Sequence, residues 1–477
     1  MYNQVKQARS VAILFALGAA GLIGVAHNAR GEGGEPRYFA IKNAHIVMAS
    51  GEYLDGGTIV IANGLIQAVG TDVTIPPEAW VIDAKGLTAY PGLIDAGTDI
   101  GLPKEEGGEG AGAPPAGGGR ARRRVAPSGP ISMGPEDRPY TTPWRVAADE
   151  LKTDDKRIES WRNAGFTTAL VVPEGGLFPG QASVVNLAGE RPGDMVVKPL
   201  AALPISLRPT GGFFGFPGSL MGGIAYDRQL LDDARWYAAA GPIDDANPSK
   251  LERLPYDRAE RVVSDALRSG EIVLLPANSA NEILRALRLA DEWHLRVVLT
   301  GAQQGYEVAE TLASKRVPVL VSLKWPERAK DSDPEGDQTL RELRFRDHAP
   351  STPAALAKAG AKFAFYSDGL AGPKDILKNV RKAIDAGLSP AAALRAFTAD
   401  AAEILGVSDR LGNIAPGKIA NLILADGDIF NEKTKVKHAF VDGRWFEIHE
   451  GPPPEKPGEK KPMRGGNVDA AQAGVDR

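Results

Sequence analysis

A chain of 477 residues, 43% of them hydrophobic, is large enough to bury one barrel-sized core with a smaller companion, which excludes an intrinsically disordered protein. The net charge of -4 provides no general basic field, so nucleic acid is excluded as the main partner and a small-molecule ligand or substrate is favoured. Cysteine is absent, which removes disulfides and a thiol nucleophile from consideration.

The first 30 residues have the pattern of an export signal. Lys6 and Arg9 precede an apolar run at 11–26, and a polar stretch follows at 27–30. We therefore predict a signal peptide over residues 1–30, cleaved after Ala26, and a periplasmic or extracellular protein. The alternative is an uncleaved anchor, although the run is short for a bilayer span. The chain has no second such run, so we expect no stable membrane span after signal removal.

Short β-rich runs broken by glycine occupy residues 38–90, and the same style returns at 412–448. Strands are predicted at 41–47, 58–62, 65–69, 81–83, 422–425, 436–441 and 444–448. Asn63-Gly64 and Asp442-Gly443 are predicted hairpin turns. We expect the two ends of the chain to form one small β-sandwich together.

Between these ends, over residues 91–411, apolar runs alternate with helical patterns, which predicts parallel strands joined by helices. The first half is irregular, with strands predicted at 93–95 and 167–172 and a helix at 152–164. The clearest stretch is 272–406. Its predicted strands are 272–275, 296–299, 317–323 and 362–366, with helices around 283–293 and at 306–313, 353–359 and 373–386. Ser389 and Pro390 are the predicted N-cap and first residue of a last helix that ends at Gly406. Four strand-helix units are half of a (β/α)8 barrel.

Two further segments differ in composition from the rest of the chain. Residues 103–139 are rich in Gly, Pro and Ala and contain four arginines at 120 and 122–124, which predicts a flexible, solvated insertion. The alternative for the arginine cluster is an acidic binding partner. Residues 451–477 are rich in Pro, Gly and Lys, and we predict a disordered tail.

Several motifs resemble those of one known family. The segment YPGLID at 90–95 resembles the entry into the first barrel strand of the amidohydrolase superfamily. Residues 409–421 resemble that family's return into its sandwich, where most members have Asp in place of Asn421, and residues 436–444 resemble its last hairpin. Residues 165–168 resemble its third barrel strand, and residues 216–222 resemble a secreted, imidazolonepropionase-like branch. The resemblance implies a (β/α)8 TIM barrel with a composite β-sandwich and hydrolysis of carbon–nitrogen bonds in cyclic, amide-type compounds.

The resemblance also implies a metal site, because such enzymes use a divalent cation to lower the pKa of bound water. Family members place a His-x-His pair after strand 1, one His each on strands 5 and 6, and an Asp after strand 8. Four of these five ligands are replaced here. The chain has Gly97 and Asp99 at the pair, Asn278 and Thr300 on strands 5 and 6, and keeps only Asp368.

We therefore predict Asp368 as the catalytic residue and Asp99 with Asp368 as the remaining metal ligands, while Gly97, Asn278 and Thr300 line the pocket. Zinc is not expected at full occupancy. One interpretation of the carboxylates is a weak site for Mg²⁺ or Ca²⁺ that also uses Asp95 and Glu174. The alternative is that Asp95 and Asp368 are structural and are held by backbone hydrogen bonds.

Among the histidines, His348 is the one predicted to line the pocket. It lies on the long connection after strand 7, on the face where barrel active sites form. The others are interpreted as structural or solvated residues of the sandwich, the tail or the outside of the barrel.

Three functional hypotheses follow. The chain is a degenerate amidohydrolase that binds a ligand or pairs with an active relative; or it is an active carbon–nitrogen hydrolase that uses Asp368 and a non-standard metal; or it is an interaction protein that acts through its insertion and tail. A homo-oligomer is compatible with each of them.

Overall fold

The computed structural model describes residues 38–103, 138, 140–207, 217–247, 249, 253–328 and 336–448. The predicted signal peptide, nearly all of the predicted insertion at 103–139 and the predicted tail at 451–477 lie outside the described residues. Within the described ranges, no helix is both long enough and apolar enough to cross a membrane.

The described residues contain sixteen strands in two sheets. In chain order the strands are β1 (Tyr38–Val47), β2 (Tyr53–Ala62), β3 (Leu65–Gly70), β4 (Trp80–Asp83), β5 (Thr88–Pro91), β6 (Leu93–Thr98), β7 (Phe166–Val171), β8 (Ala182–Asn186), β9 (Val196–Pro204), β10 (Ile272–Ala277), β11 (Val297–Gly301), β12 (Val319–Ser322), β13 (Phe363–Tyr366), β14 (Leu422–Ala425), β15 (Val436–Val441) and β16 (Arg444–Glu447).

The same residues form twelve α-helices and two 3-10 turns, Gly305–Glu307 and Ala349–Ser351. The helices are α1 (Ala147–Glu150), α2 (Lys156–Asn163), α3 (Pro192–Met195), α4 (Leu220–Ala246), α5 (Arg258–Ser269), α6 (Ala280–Glu292), α7 (Ala309–Lys315), α8 (Leu340–His348), α9 (Thr352–Ala359), α10 (Pro373–Asp385), α11 (Pro390–Phe397) and α12 (Ala399–Ile404).

One sheet is built from both ends of the chain, in the order β16-β15-β14-β5-β1-β2-β3, with β4 paired to β1. Strand β14 pairs antiparallel with β5, so the returning chain completes the sheet that the first residues begin. Both predicted hairpin turns have positive φ at their two central positions, Asn63 and Gly64 in one and Asp442 and Gly443 in the other. That conformation twists a two-residue turn to match its strands. The composite β-domain predicted from the sequence is confirmed.

The other sheet is an eight-stranded barrel in the order β6 to β13. Strands β9 to β13 are mutually parallel, and helices connect them from β10 onward as predicted. Strand β8, which was not predicted, runs antiparallel to both β7 and β9. Strand β7 pairs directly with β6 and is therefore the second strand of the barrel. The assignment of residues 165–168 to a third strand was wrong, because no intervening strand separates them from β6.

Three predicted helices have different bounds in the structure. Helix α2 begins at Lys156, since the Asp155 side chain caps it by accepting from the Arg157 backbone amide. The helix predicted at 306–313 divides into a 3-10 turn and α7. The last predicted helix begins at Ser389 and Pro390 as expected, but it breaks at Thr398, whose φ of -130° and ψ of -96° are not helical.

The barrel closes differently at its sides and at its ends. Strands β6 and β13 are connected by a hydrogen bond to a side chain. Asp95 Oδ1, in β6, accepts from the backbone amide of Ser367, the residue after β13, at 3.0 Å. Near the amino-terminal end, Lys198 donates to the carbonyl of Leu405 at 3.1 Å, and Leu405, Val407 and Leu411 belong to the same buried cluster as residues of the barrel strands. The carboxy-terminal end of the strands is the mouth, where barrel active sites form.

Candidate active site at the barrel mouth

The residues predicted for the site lie on four strand ends. Gly97 and Asp99 lie at the end of β6, Asn278 follows β10, Thr300 lies in β11, and Asp368 follows β13. Thr300 is level with Pro276 on one neighbouring strand and with Leu320 on the other. The topology therefore brings all of these positions to the same end of the barrel.

Gly97 lies against the ring of Tyr366 on the adjoining strand β13. A β-carbon on residue 97 would lie 3.0 Å from Tyr366 Cδ2, closer than side chains normally approach. A histidine at this position would require the tyrosine to move. The space that the family's first ligand would use is therefore taken by an aromatic ring.

Asn278 fills the space between β10 and β11 in a similar way. Its side chain lies over Gly301, where a β-carbon would be only 2.1 Å from Asn278 Oδ1. Gly301 has a φ of +98°, a conformation that side-chain-bearing residues rarely adopt. The ends of β10 and β11 therefore carry the packed amide of Asn278 and the glycine at position 301.

Asp99 forms an ion pair with an arginine side chain of the same chain. Arg157, in the first turn of α2, places Nη1 2.7 Å from Asp99 Oδ1 and donates from Nη2 to the Asp99 carbonyl at 3.1 Å. The same guanidinium also pairs with Asp155. Burial acts to lower the pKa of Arg157, but the hydrogen bonds and charges of Asp155 and Asp99 outweigh it, so the pKa is raised above its ordinary value.

Asp368 is held by a hydroxyl group of the neighbouring strand. Ser322 Oγ donates to Asp368 Oδ2 at 2.7 Å and accepts from the backbone amide of Lys324 at 3.1 Å. Asp368 has a φ of +50° and is half-buried, so its carboxylate is fixed while part of it remains open to the mouth. A residue in that conformation is uncommon and is often found at functional sites.

Glu174 connects these groups electrostatically. Desolvation by the surrounding protein raises the pKa of this carboxyl although the residue is exposed, and the negative charges of Asp99 and Asp368 raise it further. The positive charges of Arg157 and Lys324 act in the opposite direction. Three carboxylates and two cations therefore share the mouth of the barrel.

Asp95 is separate from this group because it belongs to the β6–β13 seam. It is buried, and it accepts hydrogen bonds from the backbone amides of Gly97 and Ser367 and from Trp161 Nε1 at 3.2 Å. Desolvation raises the pKa of Asp95 to about 6, against the effect of these donors. This geometry fits the interpretation of Asp95 as a structural residue held by backbone hydrogen bonds.

His348 lies elsewhere on the same face. It is the last residue of α8, and its ring lies against Tyr306 with the ring centres 5.5 Å apart. Both residues line a cavity whose wall includes neither Asp99 nor Asp368. The mouth and the surroundings of His348 are therefore two distinct places.

The family's metal does not fit the residues that the structure describes at the mouth. Asp99 is paired with Arg157, the first ligand position is occupied by the Tyr366 ring, and the strand 5 and strand 6 positions offer an amide and a hydroxyl. Among the described residues, no group of three or more His, Asp or Glu side chains is arranged to hold a metal ion. Arg157 was missed by sequence reasoning, because nothing in its local pattern shows that it reaches back to β6.

The comparisons with known proteins agree with this architecture. Residues 287–446 match the sequence model of the Amidohydrolase family. A solved amidohydrolase from Thermotoga maritima MSB8 aligns with a TM-score of 0.69 and 25% identity, over 86% of this chain and 100% of that one. A Xaa-Pro dipeptidase structure with bound methionine aligns with a TM-score of 0.51 and 15% identity over 86% of this chain and 100% of that one, which shows a shared fold.

A curated relative matches over a shorter length. A segment of 72 residues is 43% identical to the dihydroorotase of Elusimicrobium minutum (strain Pei191). The match covers 15% of this chain and 16% of that enzyme, so the chain aligns with only a small part of its curated relative. The residues that match the family model include strands β11 to β15, and the fold resembles that of the solved amidohydrolase.

Proposed function

We propose that the whole chain is a member of the amidohydrolase family, descended from hydrolases of carbon–nitrogen bonds, and that its barrel mouth now binds a small polar molecule with impaired hydrolysis. The fold and the family segment support the descent. The state of the mouth supports the impairment.

One observation carries this proposal, the pairing of Arg157 with Asp99. A metal at the family's position would lie beside Asp99, and a guanidinium 2.7 Å from that carboxylate supplies the positive charge in its place. A guanidinium beside the carboxylate weakens its attraction for a metal ion, because the two positive charges repel each other. A water that no metal activates is a weak nucleophile toward an amide.

Metal analysis of the purified full-length protein tests the proposal most directly. After incubation with Zn²⁺, Mn²⁺ or Co²⁺ and removal of excess ion, we expect well under one metal per chain, since a catalytic zinc site keeps about three protein ligands. We also expect little hydrolysis of dihydroorotate or hydantoin with each metal. One tightly held transition metal per chain, or turnover that Asp368→Ala abolishes, would overturn the proposal.

A second candidate function is an active hydrolase that uses Asp368. It is favoured by the half-buried carboxylate that Ser322 fixes at the mouth, next to a Glu174 whose raised pKa suits proton transfer. Activity that is lost in Asp368→Asn and kept in Asp232→Asn, a change of an exposed carboxylate on α4, supports this second function.

Location and partners are proposed on the sequence alone. We propose export to the periplasm, which fractionation of cells tests, because full-length protein in the cytoplasm contradicts it. We also propose that the protein acts as a homo-oligomer or together with an active relative. A monomeric mass in light scattering, with no relative recovered after cross-linking, contradicts that proposal.

A further inference from the structure

A second concave site lies beside the barrel mouth. It is a cavity of about 600 Å³ between α8, the start of α6 and the turn that follows β11. Cavities of roughly 300–1,000 Å³ hold small-molecule ligands in proteins. The carboxylates and cations of the mouth take no part in its wall, so it is a separate candidate site.

One part of the cavity wall is aromatic. The rings of Tyr306 and His348 have their centres 5.5 Å apart and their planes inclined by 38°, and Phe345 on α8 also lines the cavity. Flat ring faces at this spacing favour a flat, aromatic partner, which stacks or meets them edge to face.

Another part of the wall is basic. Arg341 and Arg344 lie three residues apart on α8, and therefore on one face of the helix. Within the described part of the chain, no carboxylate lies within ion-pair distance of either guanidinium, whereas Arg145 has one such partner and Arg157 has two. Guanidinium groups with no carboxylate partner among the described residues are suited to bind a ligand's carboxylate or phosphate.

The balance of charge favours one of these two anions. The cavity wall contains two arginines and one glutamate, Glu307, so these three side chains leave one net positive charge. A monoanion is neutralised by this wall, while a dianion leaves excess negative charge next to Glu307.

We propose that this cavity binds an aromatic carboxylate. The carboxylate lies against Arg341 and Arg344, and the ring lies against Tyr306, His348 and Phe345. This site does not depend on the function proposed for the mouth, since the two share no lining residue.

Isothermal titration of the full-length protein with benzoate tests the site. We expect saturable binding that Arg344→Gln weakens roughly tenfold, because a hydrogen bond to a charged group contributes about 1.5–3 kcal/mol. Tyr306→Leu should weaken binding severalfold, and inorganic phosphate and benzylamine should bind at least tenfold more weakly than benzoate. Arg288→Gln, an exposed arginine on α6 outside the cavity, is the matched control and should leave binding unchanged.

Three outcomes would overturn the proposal. They are the absence of saturable binding, equal affinity in the Arg341→Gln/Arg344→Gln double variant, and loss of benzoate binding in Arg157→Gln, which would place the ligand at the mouth. Benzoate binding that persists in Asp368→Asn and Arg157→Gln supports a ligand site in the cavity, whether or not the barrel mouth hydrolyses a substrate.

Discussion

Two buried aspartates, one in the barrel seam and one in the helical layer, lie in opposite surroundings. Asp95 accepts from two backbone amides and an indole N–H between β6 and β13. Asp227 on α4 is equally inaccessible, yet neither carboxylate oxygen has a hydrogen-bond partner within the described residues. Burial raises the pKa of Asp95 to about 6 and that of Asp227 to about 8.

The difference shows what the donors contribute. Both carboxyls are removed from water, which favours their neutral form. At Asp95 the three N–H groups restore part of the stability of the anion, and at Asp227 no group among the described residues does so. Asp95 is therefore mostly charged at neutral pH, and its hydrogen bonds join two strands. Asp227 is mostly protonated at neutral pH, and its burial lowers the stability of the fold.

The largest effect is expected for Asp227→Asn. Because the folded pKa is raised above the unfolded value of 3.8, the stabilising contribution is complete below pH 4 and is lost as the pH rises through about 8. The wild type should lose on the order of 5 kcal/mol across this window through Asp227, whereas asparagine does not titrate.

Urea unfolding at pH 4 and pH 8 checks this prediction. The variant and the wild type should have similar stability at pH 4, and the variant should be the more stable protein at pH 8. Asp232→Asn, at an exposed position of the same helix, should follow the wild type at both values. Parallel profiles for wild type and Asp227→Asn would show that Asp227 has a partner or access to water.

Asp95→Asn should remove a smaller pH dependence. The folded pKa of about 6 also lies above 3.8, so this contribution is complete below pH 4 and is lost by about pH 6, for a total on the order of 3 kcal/mol. Trp161→Phe deletes one donor and should raise the pKa of Asp95 further, moving the upper end of the window by about one unit. Denaturant midpoints measured every half unit from pH 4 to pH 8 report both shifts, and an unmoved window in Trp161→Phe would contradict the role of the indole.

Asn421 is a buried but neutral side chain, and both its Nδ2 and its Oδ1 have hydrogen-bond partners. Its Nδ2 donates to Thr168 at 2.9 Å and to Asn186 at 2.7 Å, and its Oδ1 accepts from the Asp442 amide at 2.7 Å. Asn421→Leu leaves these partners unsatisfied and should cost about 2–3 kcal/mol, measured by chemical unfolding. Asn421→Asp should cost less, because the Asn186 amide is able to turn and donate. Equal losses would mean that packing at the site matters more than its hydrogen bonds.

The smallest effect on stability is expected at the mouth. Arg157→Gln breaks a half-exposed ion pair and should lower the free energy of unfolding by about 1 kcal/mol or less. It also frees Asp99, so Mn²⁺ binding measured by calorimetry should become stronger. Arg268→Gln, which breaks an exposed pair with Asp265 on α5, is the control and should leave Mn²⁺ binding unchanged. Unchanged Mn²⁺ binding in Arg157→Gln would argue against competition between the arginine and a metal.

Much of the fold was predictable from local patterns. The second half of the barrel followed from apolar runs alternating with helical spacing, and Ser389 with Pro390 marked a helix start that the structure confirms. Strand β8 was missed because a run of only five residues with no regular polar alternation does not reveal its direction or its partners. The break at Thr398 was missed for a similar reason, since residues on both sides of it are good helix formers.

The candidate site was predictable only in part. Spacing and resemblance located Gly97, Asp99 and Asp368, and the topology brings their strand ends to one mouth. The same reasoning grouped His348 with them, while the structure places it in a neighbouring cavity. The ion pair between Arg157 and Asp99 joins residues 58 positions apart, and no local pattern encodes such a contact.

The sequence by itself determined the strand and helix periods, the Asn63-Gly64 and Asp442-Gly443 turns and the pairing of the two chain ends, because these depend on backbone preferences and on which face of an element is apolar. The tertiary structure decided that Arg157 neutralises Asp99 and that Tyr366 lies over Gly97. It also decided that Asp95 has hydrogen-bond donors, while Asp227 has none in the part of the chain that the structure describes. These outcomes depend on distances between side chains remote in sequence, since the charge and the hydrogen bonding of a buried group are set by whatever the fold packs around it.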